Sequence, residues 1–356
     1  MSPLAAARPA LLALLALVGA RAHAQAPDTL RLGAVLDALY AENPALRAER
    51  LDARALAREG DRVGVLPDPT ASVMVAPYPI LTARGTQRSQ WRVEQMVPWP
   101  GTLVTGASAG IGAACARAFA AAGDRVVLAA RSADRVAALA DALNAEHGDG
   151  TAWAAPLDVT DAEAHGRVVR DLPAPFAEVD VAVLNAGLAK GLRPVWENTP
   201  GEVDQMVDTN VKGVLNGVRA VVPGMLERGR GHVITIGSTA GHAVYAGGVV
   251  YCATKHALLA ITEGLKVDLH GTPVRATAVS PGLVETDFSR VRFDGDAERA
   301  DAVYADTNAL TAEDVADAVV YCAHAPGRVN VVELLLTPRV QSGYTMIARG
   351  EDAEGL

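Results

Sequence analysis

Tyr251-Cys252-Ala253-Thr254-Lys255 sets a phenol and an amine four residues apart, and Ser238 precedes the tyrosine by 13 residues. On a helix that spacing puts Tyr251 and Lys255 on one face. A free tyrosine, with a pKa of about 10, is a poor acid or base at neutral pH. A nearby ammonium favours the phenolate and draws the group toward the working range. A serine hydroxyl at the same place can hydrogen-bond an oxygen on which charge develops. The chemistry within reach is proton transfer at an oxygen. Taken alone, Y-x-x-x-K is a common surface pair, so the set needs further parts.

Thr105-Gly106-Ala107-Ser108-Ala109-Gly110-Ile111-Gly112 supplies one. It follows a short strand-like run and opens an Ala-rich helix expected over 110–122. Three glycines there permit a tight turn, close approach of backbone to a pyrophosphate, and tight helix–strand packing. The helix N-terminus then offers free N–H groups to phosphate. The next strand ends Leu128-Ala129-Ala130-Arg131-Ser132. An acid near this point would hold both ribose hydroxyls of NAD; Ala130 cannot. Arg131 and Ser132 can take a 2′-phosphate, the arginine by a charge-assisted fork. The expected cofactor is therefore NADP(H). Hydride exchange between a nicotinamide and a carbonyl carbon needs a proton at the oxygen, which Tyr251 would handle.

These parts need a scaffold. Strands are expected at 102–105, 125–130, 151–157, 179–184, 232–237, 274–280 and 329–336, with helices between most of them. That alternation predicts an α/β fold, a doubly wound parallel sheet of seven strands of Rossmann type. Pro98 and Pro100 abut the first strand, which should be shortened there because proline has no ladder N–H.

The G-x-x-x-G-x-G spacing and the ordered set after it resemble the short-chain dehydrogenase/reductase family from residue 101 onward. The resemblance implies an adenine contact at Asp158-Val159 and a cofactor turn at Asn185-Ala186-Gly187. It implies a loop over the nicotinamide from Pro281-Gly282 through Val284 and Thr286. Gly106, Ser108, Gly110, Ile111 and Gly112 would complete the cofactor contacts, and Lys255 would also hold the nicotinamide ribose. Asn210 matches the family's helix asparagine, implied to position a proton-relaying water beside Lys255. Within the family, Ile236-Gly237-Ser238-Thr239-Ala240-Gly241-His242 and Pro281-Gly282-Leu283-Val284-Glu285-Thr286-Asp287-Phe288-Ser289 are similar to NADP-dependent 3-hydroxy acid dehydrogenases. So are Val291-Arg292-Phe293 and the block 309–315. These enzymes oxidise serine and allo-threonine and reduce malonic semialdehyde. A general carbonyl reductase is the alternative. An anionic substrate needs a cation, and Lys190, Arg193, Arg290 and Arg292 are the candidates. The resemblance further implies a tetramer formed by helix packing.

The first hundred residues read differently. Of 356 residues, half are hydrophobic and 4% aromatic, with a net charge of −9 that argues against nucleic acid as a partner. Residues 1–100 hold 11 Arg, no Lys and 9 acids, a net of +2, which leaves −11 for the remainder. All four lysines and all three cysteines lie after residue 100. The cysteines have no metal spacing, and no metal is expected. Arg8, an apolar run over 10–20 and Ala22-His23-Ala24 read as a secretory signal over 1–24, too short for a membrane span. Residues 28–64 have helical periodicity, broken at Asn43-Pro44. Residues 73–75 read as a strand, and 91–97 alternates weakly. A mainly helical or poorly ordered appendage is expected. Residues 32–46, Leu66-Pro67-Asp68-Pro69 and Gln95-Met96-Val97-Pro98-Trp99-Pro100-Gly101 resemble the N-terminus of the outer-membrane efflux protein family. A secretory start conflicts with the cytoplasmic location of NADP(H), and the abrupt join at residues 100–102 reads as a fusion or a reading-frame error. A non-enzymatic envelope remnant is the third reading.

Overall fold

The computed structural model describes residues 70–82, 85–94, 101–343 and 346–350. The expectations for 1–24, 28–64, 66–69 and 95–100 lie outside these residues. Two units divide the chain, Met1–Val65 and Leu66–Leu356, and every described residue falls in the second. Strands β1 (Thr70–Thr82) and β2 (Gly85–Glu94) pair antiparallel as a hairpin, whose register shifts between Val75 and Ile80. The strand expected at 73–75 lies inside β1.

From residue 101 the alternation is as the sequence predicts. The elements are β3 (Thr102–Thr105), α1 (Gly110–Ala121), β4 (Val126–Ala130), α2 (Ala133–His147), β5 (Ala152–Pro156), α3 (Ala162–Arg170) and β6 (Val181–Leu184). Then come α4 (Pro200–Val207), a π-helical segment Asp208–Lys212, α5 (Gly213–Arg228), β7 (Gly231–Ile236), α6 (Val249–Asp268) and β8 (Val274–Pro281). The chain goes on through α7 (Phe288–Arg292), α8 (Ala297–Ala302), α9 (Ala312–His324) and β9 (Glu333–Leu336). A two-residue pair, β10 (Gln341–Ser342) and β11 (Met346–Ile347), follows.

Seven strands form one parallel sheet in the order β5-β4-β3-β6-β7-β8-β9. Strands such as VVLAA and VAVL are apolar throughout and buried throughout, as a sheet covered on both faces requires. Alternate side chains divide between the two faces. Val104, Val126 and Leu128 pack with Phe119 of α1, Leu139 of α2 and Val315 and Val319 of α9. Leu103, Val127 and Ala129 pack on the other face with Val214 and Met225 of α5 and Leu258 of α6. Order reverses at β3 and β6, and a crevice opens at that switch point beyond the carboxyl ends of the strands.

Two boundaries carry information. β3 has four residues and begins just after Gly101, where the prolines were expected to shorten it. β9 begins at Glu333, four residues later than expected. The carbonyls before it are taken by side chains of β8: Arg275 donates to Val329 O at 3.0 Å and Thr277 Oγ1 to Val331 O at 2.6 Å.

Candidate active site

The glycine-rich turn leaves β3 and enters α1 with Gly106 at φ 68° and Gly110 at φ 52°, both in the left-handed region. Ala109 caps α1 without a side-chain hydrogen bond, so no side chain competes for the helix's first N–H groups. Gly112 is not on the cavity wall. A methyl group there would lie 2.3 Å from Gly106 O and 2.6 Å from Asn185 Nδ2, so Gly112 is where helix and strand pack.

Asn185 locks this turn to the next strand end. Its Nδ2 donates to Thr105 O at 2.9 Å, and its backbone N–H donates to Thr105 Oγ1 at 3.0 Å. Thr105 Oγ1 in turn donates to Val183 O at 3.3 Å. Such bonds hold β3 and β6 at the switch point. Arg131 and Ser132 are exposed on the wall of the same cavity, and Arg131 has no ion pair among the described residues. Asp158 Oδ1 accepts from Thr160 N–H at 3.0 Å and Thr160 Oγ1 at 2.8 Å, which fixes the turn after β5.

One cavity of about 680 Å³ joins these residues to the acid–base set. Its wall includes Gly106, Ser108, Gly110, Ile111, Arg131, Ser132, Asp158, Val159, Asn185, Ala186 and Gly187. It also includes Ser238, Tyr251, Lys255, Pro281, Gly282, Val284 and Thr286. Tyr251 and Lys255 lie in the first two turns of α6, and Ser238 follows β7 by two residues. The Ser238 hydroxyl lies near enough to Tyr251 to lower the phenol's pKa, and it accepts from Ala240 N–H at 3.1 Å. Lys255 Nζ lies 5.8 Å from the Tyr251 ring centre and donates to Ile236 O at 2.7 Å.

The expected tuning of tyrosine by lysine is not the leading effect. Burial is the largest cause acting on Tyr251 and holds it well above the usual phenol range; the neighbouring Tyr245 adds to this. The Ser238 hydrogen bond and the Arg292 charge oppose it. Lys255 is itself brought down to about 8 by burial. Both groups are thus poised by desolvation, which disfavours phenolate and ammonium alike.

Asn210 sits on the π-helical segment and is buried, off the cavity wall. Its Oδ1 accepts from Leu188 N–H at 2.8 Å; its Nδ2 donates to Leu188 O at 2.8 Å and Thr254 Oγ1 at 3.0 Å. These bonds use both amide hydrogens and one oxygen lone pair. What Asn210 does here is brace the Asn185-Ala186-Gly187 turn against α6; a methyl at Gly187 would lie 3.3 Å from Asn210 Oδ1 and 3.7 Å from Lys255 Nζ.

The four candidate cations separate cleanly. Lys190 pairs with Asp294 at 2.6 Å, Arg193 pairs with Glu202, and Arg290 faces Asp301 at 3.7 Å outside this cavity. Arg292 alone among the four lines the cavity without a carboxylate partner among the described residues. Its Nε donates to Gly191 O at 2.9 Å, and Gly191 N–H donates back to Arg292 O at 2.9 Å. Its guanidinium carbon lies 5.3 Å from the Tyr245 ring centre and 5.9 Å from that of Tyr251. Wall residues that escaped sequence reasoning include Leu192, Tyr245, Tyr304, Gln341, Ile347 and Arg349. Arg349 donates to Ala305 O at 2.6 Å and Val303 O at 2.8 Å, so the tail grips the segment after α8. No local motif marks such a contact.

The three cysteines are free and buried. No helix among the described residues is long and apolar enough to cross a membrane.

The short chain dehydrogenase family matches residues 101–297. An NADP-dependent 3-hydroxy acid dehydrogenase of Salmonella typhi is 46% identical over 241 residues, 67% of this chain and 95% of that one. Sulfoacetaldehyde reductase 2 of Chromohalobacter salexigens is 42% identical over 241 residues, 67% of this chain and 94% of that one. Among solved structures, the closed form of serine dehydrogenase complexed with NADP+ superposes with a TM-score of 0.66 at 43% identity, covering 70% of this chain and 99% of that one. With this geometry and these relatives, the chain belongs to the short-chain dehydrogenase family, and the match begins at residue 101, where the sequence changes character.

Proposed function

We propose that residues 101–356 form an NADP(H)-dependent oxidoreductase that moves a hydride between the nicotinamide and a small 3-hydroxy acid of the serine, allo-threonine or 3-hydroxypropionate type. The observation that carries this is the single cavity with Arg131 at one end and Arg292 beside Tyr251 at the other. The residues present fit the cofactor: two left-handed glycines, a helix start without a side-chain cap, and an arginine past β4 with no ion pair among the described residues. Gly106, Ser108, Gly110 and Ile111 would cradle the pyrophosphate, Arg131 and Ser132 the 2′-phosphate, and Asp158, Val159, Asn185, Ala186 and Gly187 the adenosine and central part. Pro281, Gly282, Val284 and Thr286 would close over the nicotinamide.

When bound, NADP+ supplies the hydride acceptor. Tyr251 takes the proton from the substrate hydroxyl in oxidation and returns it in reduction. Ser238 donates to the substrate oxygen and holds it beside the Tyr251 hydroxyl. Lys255 holds the nicotinamide ribose, its ammonium oriented by Ile236 O. Arg292 binds the substrate's anionic end through its remaining N–H groups. Two relatives support the anion, because a 3-hydroxy acid and sulfoacetaldehyde share an acidic group.

Turnover of full-length protein with L-serine, L-allo-threonine and 3-hydroxypropionate, each with NADP+ and NAD+, tests this reading. The expected result is faster reaction of the acids than of neutral alcohols of the same size, with NADP+ preferred. Equal rates on neutral alcohols would favour the general carbonyl reductase; a folded protein without turnover would favour the non-enzymatic reading. For residues 1–100 we retain a signal over 1–24 and an efflux-type fragment over 25–100 fused at the point where the family match begins. A tetramer and a cytoplasmic site of action follow the same family reading.

A further inference from the structure

Ser238 stands on a bend that must be held in place from outside, since its own hydroxyl accepts only the local Ala240 N–H, two residues on. The bend runs from the end of β7 through the turn Thr239–Gly241 to His242. Lys255 fixes it on one side through Ile236 O. On the other side lies Glu333, the first residue of β9, which the acid–base scheme does not use. Glu333 Oε1 accepts from Ser280 Oγ at 2.7 Å and lies 2.7 Å from His242 Nε2. Ser280 is fully buried beneath Gly237: a methyl group on Gly237 would lie 2.5 Å from Ser280 Oγ. A single carboxylate oxygen therefore reaches the residue just before Ser238, through Ser280, and the residue that ends the turn after it, through His242.

We propose that Glu333 is a positioning residue for Ser238, clamping both ends of the serine's bend; the proposal rests on Ser238 holding the substrate oxygen. The two bonds span 53 and 91 residues of sequence, so they tie the bend to β8 and β9 rather than to its own neighbours. Removal of the carboxylate leaves a buried serine hydroxyl without its acceptor, and the bend can then shift. A small shift of a group that contacts the reacting oxygen acts on the transition state more than on cofactor binding.

The test uses the full-length chain with a saturating 3-hydroxy acid and NADP+ varied through its KM. Glu333→Ala is expected to lower kcat about tenfold, with KM for NADP+ unchanged. E333Q should stay within about threefold of wild type, because its amide oxygen still accepts from both partners. H242A and S280A should each give a smaller loss, and the E333A/H242A double variant should be no slower than E333A. Folded E333A with wild-type kcat, a loss confined to KM for NADP+, or E333Q as slow as E333A would each overturn the proposal. If E333A does not fold, H242A decides: folded H242A with wild-type kcat overturns it. A wild-type protein without turnover removes the underlying reading and this one with it, whereas active wild type with unaffected variants removes only this one.

Discussion

The two ends of the cavity are built by different means. At the cofactor end, backbone does the work: Gly106, Gly110 and Gly112 lie within seven residues and Asn185 holds their turn to β6. Beside Tyr251, a long side chain crosses from a distant segment: Arg292 reaches Gly191 over 101 residues. Backbone geometry tolerates few residue types, so the first end leaves a fixed spacing in the sequence. Side-chain reach can be met by many arrangements, so the second leaves only a choice among cations.

Variants at the junction of the two ends should have the largest effect. Tyr251→Phe removes the proton donor and acceptor and should lower kcat about a thousandfold while leaving NADP(H) binding intact, as read by fluorescence titration. Equal losses in binding and in kcat would mean that the two ends are not separable. Next in size, Arg131→Asp should lower the NADP+/NAD+ ratio of kcat/KM about a hundredfold, since it removes a charge-assisted fork and sets an acid against the 2′-phosphate. Unchanged cofactor kinetics would remove Arg131 from the site. Arg292→Leu should raise KM for 3-hydroxy acids about thirtyfold and leave KM for NADP+ unchanged. A rise in the cofactor's KM instead would move Arg292 to the other end of the cavity.

Packing and pH give smaller signals. Gly112→Ala forces a methyl against Gly106 O and should cost about 2 kcal/mol of stability, read by denaturant unfolding. Tyr251 is held above the ordinary phenol range by burial. Oxidation needs its deprotonated form, so the oxidation rate should climb from neutral into alkaline pH. Reduction needs the protonated phenol and should not climb there. Arg292 opposes that upward shift, so Arg292→Leu should move the oxidation profile further alkaline.

The sheet and the acid–base set were legible because each rests on a local signal. Apolar runs marked all seven strands, and Ser238, Tyr251 and Lys255 stood in a fixed order around β7 and α6. β9 was misplaced at its start because Arg275 and Thr277 capture carbonyls that a ladder would otherwise use. Asn210 was visible as a residue, but its bonds to Leu188 were not, since they depend on a turn 22 residues away. The choice of Arg292 over Lys190, Arg193 and Arg290 needed the partners Asp294, Glu202 and Asp301, which no spacing reveals. The pKa of Tyr251 was expected to fall with its lysine neighbour; burial, a property of the whole fold, outweighs that neighbour.

The central claim is that one cavity joins an NADP(H) end to an anion-binding end through Tyr251. Its most direct test is the initial rate of NADPH formation by full-length protein from L-allo-threonine and from the matching neutral amino alcohol, in wild type and in Arg292→Leu. Wild type is expected to prefer the acid strongly, and the variant to lose that preference through KM for the acid alone. A wild type indifferent to the carboxylate, or a variant that keeps the preference, would contradict it.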